Sequence, residues 1–159
     1  MNRLFRQLLQ LKEMRRESAY RALQTKRQDV RRAEITLRAA ENALNASRAS
    51  YSEQVDALYA PIIGQTTSLS SIEEVENRIA QLDVRHERLV EAVDDAADHL
   101  QDLRESAEVL ASIYAGKVKS FDRFGALVEG IELADRAEMA RLAEIEHEEG
   151  FINRGEEAT

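Results

Sequence analysis

From Ile72 onward, large apolar residues recur at alternating steps of three and four. The series runs Ile72, Val75, Ile79, Leu82, His86, Leu89, Val93, Ala96, Leu100, Leu103, Ala107, Leu110, Tyr114, Lys117, Phe121, Phe124, Val128 and Ile131. Sixteen of these 18 positions are apolar or aromatic, and only His86 and Lys117 interrupt them. A period of 3.5 residues sustained this long specifies the seam of a left-handed coiled coil, and it excludes a strand, whose period is two.

The first half carries a different texture. Every seventh residue from Leu23 is large (Leu23, Val30, Leu37, Leu44, Tyr51, Leu58), while Lys26, Ala33, Ala40, Ser47 and Gln54 between them are mostly small or polar. Small residues on one helix admit the Leu and Val of another, so the two halves are complementary to each other. Toward the N-terminus the stripe shifts to Leu4, Leu8 and Leu11, widened by Phe5, Leu9 and Met14.

Between the halves lies YAPIIGQTTSLSS. Pro61 disfavours helix at Ala60, and Gly64 is free to take the left-handed conformation that ends helices. Ser70 with Glu73, and Ser71 with Glu74, have the spacing of capping boxes. The expectation is an all-α fold, a long antiparallel two-helix coiled-coil hairpin over residues 1–150. Helix one spans about 2–59, the turn 60–70 and helix two about 71–148, with a disordered tail at 151–159. With Leu58 facing Ile72, paired residue numbers total about 130, which sets Leu37 against Val93, Val30 against Leu100 and Leu9 against Phe121. After Ile131 the stripe slips to Met139, Leu142 and Ile145, a phase change resembling a stutter. Gly116, Gly125 and Gly130 each lower helix stability there by roughly 1 kcal/mol relative to Ala.

Charge reinforces the hairpin. The net charge of −8 conceals a gradient: residues 1–38 carry 11 Lys/Arg against 4 Asp/Glu, and residues 129–159 carry 3 against 10. An antiparallel arrangement lays the basic run beside acidic residues, whereas a parallel one sets like charges together. A nucleic-acid binder leaves its basic face unopposed, so none is expected as a partner. No stretch approaches 18 consecutive apolar residues, so no membrane insertion is expected. The charged N-terminus does not read as a signal peptide. Zero Cys excludes disulfides and thiolate zinc sites.

Candidate chemistry is sparse. His86 near Asp83 and Glu87, and His99 near Asp95 and Asp102, have helical spacing that metal ligands can use. The plainer readings are a polar break in the seam and a solvated face, so no metal or other cofactor is expected. Gly116–Lys117 lacks the upstream glycine of a phosphate loop. Two helices also offer no concave pocket for a catalytic constellation, and the chain does not read as an enzyme. Arg15, Arg16, Arg31 and Arg32 have no interleaved aromatics and read as a solvated face. Ile62, Ile63 and Leu69 at the turn allow two readings, folding back over the hairpin end or forming an exposed tip for a partner.

The opening stretch, with Leu4, Leu8, Leu9, Leu11, Lys12, Arg15, Arg16, Ala19 and Leu23, resembles the start of the stalk proteins of type III secretion and flagellar export, the YscO and FliJ family. The resemblance extends to length, lack of Cys and Trp, and an early turn followed by a longer second helix. It implies a central stalk that couples a hexameric export ATPase to an export-gate membrane protein and binds secretion chaperones. Such a stalk is a monomer or weak dimer, cytoplasmic and peripheral to the inner-membrane apparatus. The ATPase-contacting residues it implies are Leu4, Leu8, Leu11, Lys12, Arg15, Arg16, Phe121 and Phe124. The implied gate contacts are Tyr59, Ile62, Ile63 and Leu69. The alternative of a different class is a self-assembling structural or chaperone-like scaffold with no ATPase.

Overall fold

The computed structural model describes residues 3–156, with side chains described for residues 3–149. Helix α1 runs Arg3–Tyr59 and helix α2 runs Leu69–Glu156. They pack together as an antiparallel hairpin. The chain forms two units, one of Met1–Leu23 with Leu110–Thr159 and the other of Gln24–Val109. They are called here the terminal unit and the turn unit.

The turn follows from local chemistry. The amides of Ile62 and Ile63 both donate to the carbonyl of Tyr59, which closes α1. Gly64 has a φ of 78°, the left-handed conformation that a Cβ disfavours. Helix α2 then starts on Ser68, earlier than the capping boxes at Ser70 and Ser71 predicted. The Ser71 amide donates to Ser68 Oγ at 3.3 Å, satisfying one of the first-turn donors, and the two hydroxyls lie 2.9 Å apart. At the other end α2 continues through residues 151–156, where the sequence pattern suggested a disordered tail. No proline follows Gly150 to force an end. Residues 157–159 lie outside the described residues.

In the turn unit the best-buried residues are Ala33, Leu44, Val75 and Leu100. One seam position on α1 differs from the heptad count. Gln54 is exposed and Val55 takes its place. The register also differs, by about one helical turn. Ser47 Oγ meets His86 Nδ1 at 3.1 Å, where a total of 130 would have set Ser47 against Asp83. Leu58 lines a groove with Arg78 and Leu82, and Ile72 is exposed. The physical reason is polar matching. In the expected register His86 would press on Leu44, whereas the observed one gives it a hydroxyl and lets Tyr51 Oη donate to Asp83. Arg104 also bonds Glu34 at 3.1 Å across the pair.

In the terminal unit the seam is Phe5, Leu9, Lys12, Arg16, Ala19 and Leu23 on α1, each partly or fully covered. Val118 on α2 is partly covered while Lys117 is exposed, so the lysine that interrupted the heptad series is not in the seam. Among the described residues, none of the large side chains is completely buried. A seam between two helices has flanks open to water, so its core is only one side chain deep.

Candidate functional site

The side chains that the stalk resemblance assigned to ATPase contact separate into two sets. Lys12, Arg16, Phe121 and Phe124 pack against one another within the terminal unit. The Arg16 guanidinium lies 4.1 Å from the Phe121 ring centroid, and Lys12 Nζ lies 5.5 Å from that of Phe124. Lys12 also donates to Ser120 Oγ at 2.8 Å. Phe5 tilts against Phe124 at 6.3 Å, and Tyr20 against Tyr114 at 5.5 Å. A cation over a ring face is attracted by the quadrupole of the ring, and the aliphatic stem of Lys or Arg covers apolar surface. Two basic residues can therefore sit at seam positions without being isolated in oil.

Leu4, Leu8, Leu11 and Arg15 form the other set, and they are exposed. Steps of three and four place them on one stripe, about a quarter-turn from the line through Phe5, Leu9, Lys12 and Arg16. Leu8 is 36% exposed, Leu11 41% and Met14 62%. The sequence count merged both stripes into one wide seam because they are adjacent. The seam belongs to the aromatic and cationic residues, and the leucines face out.

The turn residues also divide. Tyr59 and Ile62 are partly covered, while Ile63 and Leu69 are 70% and 71% exposed. Ile62 is thus partly covered, and Ile63 and Leu69 stand exposed at the turn.

Along α2 from position 133 to 149 every residue is exposed, Met139, Leu142 and Ile145 among them. The phase change expected after Ile131 does not apply to Leu142 and Ile145, which stand whole heptads from Ile72 and Val75, and only packing showed the exposure of the stretch.

His86 is held by Ser47 and stacks at 6.3 Å from Tyr51. Asp83, accepting the Tyr51 hydroxyl, raises the Tyr51 pKa above the ordinary tyrosine value, with lesser contributions from desolvation and the carboxylate charge. Among the described residues no three His, Asp or Glu side chains converge as metal ligands. No described helix is long and apolar enough to cross a membrane.

A family model for the type III secretion protein YscO matches residues 5–152. Among solved structures, the crystal structure of type III secretion protein YscO from Vibrio parahaemolyticus resembles this fold with a TM-score of 0.82. The likeness covers 92% of each chain at 22% identity. No curated protein matches. The long helical pair, with its early turn and longer second helix, thus matches a known family over nearly its whole length, and the chain belongs to the type III secretion protein YscO family, with a role in the secretion apparatus.

Proposed function

We propose that this chain is the stalk of its secretion apparatus, with the terminal unit engaging the export ATPase and the turn facing the export gate. It also serves as a docking element for secretion chaperones, and it works in the cytoplasm at the inner membrane. The observation that carries this reading is the outward stripe of Leu4, Leu8 and Leu11 with Arg15. Beside an inner face filled by Phe5, Leu9, Lys12 and Arg16, this helix turns a second, apolar stripe outward. Exposed leucines bordered by a cation suit insertion into a protein cavity that combines apolar and acidic lining. At the turn, Ile63 and Leu69 offer a second small apolar surface, fitting a contact with the gate.

The test is ATP hydrolysis by the host's export ATPase with the chain added. Wild type stimulates hydrolysis, and Arg15→Glu combined with Leu8→Glu loses most of the stimulation while helicity persists. Arg15 is the informative cation, because it is exposed; reversing Arg16 would disturb its own contact with Phe121. Wild type that neither binds nor stimulates the ATPase ends the stalk reading. A variant that stimulates as well as wild type removes the assigned surface.

A further inference from the structure

The terminal unit holds two features of opposite charge. The first is a groove between α1 and α2. It is lined by Lys12, Gly116, Lys119, Ser120, Arg123, Phe124 and Leu127. Three of these seven residues are cationic, and Leu127 is 56% exposed. A Cβ at Gly116 would meet nothing within 4 Å, so the glycine leaves open space that the chain itself does not use. Leu8 and Arg15 stand four and three residues from Lys12, on the neighbouring face of α1, and extend the groove's apolar and basic character.

The second feature is the uncovered stretch of α2. Residues 132–149 carry seven carboxylates against two arginines. Met139, Leu142 and Ile145 are 67%, 46% and 40% exposed, and helical geometry places them on the face that Phe124, Val128 and Ile131 use in the seam. This segment is the acidic, apolar-striped counterpart of the groove. It also has a reason to seek cover, since its exposed Met139, Leu142 and Ile145 leave apolar surface in water. One continuous helix cannot fold back into a groove that its own preceding turns form.

We propose that the groove binds the acidic stretch of a second copy of this chain, each copy inserting its 132–149 segment into the other's groove. The interface is isologous, so it closes at two copies and does not propagate. Direct pairing of the two acidic segments is disfavoured by like charge, whereas groove and segment are complementary. The dimer does not depend on the stalk reading. If both hold, they compete, because the dimer covers surface beside the Leu8 stripe.

Sedimentation of the full chain tests this. At about 0.05 M salt, where screening is weak, wild type exchanges between monomer and dimer at micromolar concentrations. Raising salt to about 0.5 M weakens the dimer at least tenfold, as expected when opposite charges drive association. Gly116→Leu fills the groove and weakens the dimer at least tenfold, although replacing a helical glycine raises helix stability. Leu142→Glu with Ile145→Glu does the same from the other side. Mixing these two variants regains a heterodimer, because one intact groove still meets one intact segment. A wild type that stays monomeric at about 0.2 mM in low salt overturns the proposal, those conditions favouring charge-driven association most. So does a dimer that survives Gly116→Leu, or a mixture that forms no heterodimer.

Discussion

The two units of this hairpin solve the same packing problem with different chemistry. In the turn unit the best-buried residues are Ala33, Leu44, Val75 and Leu100, and polar residues pair across the helices: Ser47 with His86, Tyr51 with Asp83. In the terminal unit the seam is aromatic and cationic, with Arg16 on Phe121, Lys12 near Phe124 and Tyr20 against Tyr114. Aliphatic and small residues interlock closely, and the polar pairs set among them fix the register. Rings and long basic stems tolerate more variation, because a cation–π contact has a broad minimum and both side chains reach. The turn unit is therefore built to hold register, and the terminal unit to cover its seam while leaving a second face of α1 outward.

The largest expected effect comes from breaking the closely packed seam. Leu44 is 6% exposed, and Leu44→Asp places an unpartnered carboxylate there. A loss of about 3 kcal/mol or more is expected in thermal or denaturant unfolding followed by circular dichroism. A loss comparable to that of an exposed substitution would show that this seam is loose, and the contrast between the units would fail.

A smaller effect separates the cations of the terminal unit. Arg16→Ala removes the contact with Phe121 and should cost about 1 kcal/mol, more than its exposed neighbour. Arg15→Ala should stay within about 0.5 kcal/mol. Equal losses for the two would mean that the ring contact contributes nothing and the terminal seam rests on its apolar residues alone.

The smallest effect is alkaline and belongs to the turn unit. Tyr51 holds its proton more tightly folded than unfolded, chiefly through its hydrogen bond to Asp83. Its contribution to stability is fully present below the unfolded tyrosine pKa of about 10 and is lost as pH rises through the higher folded value. Tyr51→Phe should remove that part of the alkaline loss. Ultraviolet titration of wild type against the variant reads it directly. If the difference spectrum titrates at or below the ordinary tyrosine value, the Tyr51–Asp83 bond is absent in solution.

Two helices, one turn and an antiparallel pairing were legible in the sequence because each depends on local signals. A 3.5-residue period, a Pro and a Gly in one short segment, and opposed charge at the two ends all act over a few residues or in bulk. Stripe assignment was not legible to the same degree. At the N-terminus Leu4, Leu8 and Leu11 and the Phe5, Leu9, Lys12 and Arg16 set are both regular, and a hydropathy count favours the leucines over a lysine and an arginine. The choice went to the residues with aromatic partners on α2, information that α1 does not contain. For the same reason Lys117 counted as a seam position although Val118 fills it.

The sequence by itself determined that this chain is a pair of long helices, since periodicity and turn chemistry leave no strand or compact core to compete. It also pointed to a family through its opening residues and its architecture, and the family match agrees. Only tertiary structure decided the register, the inward face of α1 and the stretch of α2 left uncovered. Each of these depends on which side chains meet across the seam. A slide of one helical turn keeps the apolar stripes almost equally well matched, so hydrophobic burial alone cannot select among such registers. Pairings such as Ser47 with His86 and Tyr51 with Asp83 select, and they exist only once the two helices are brought together.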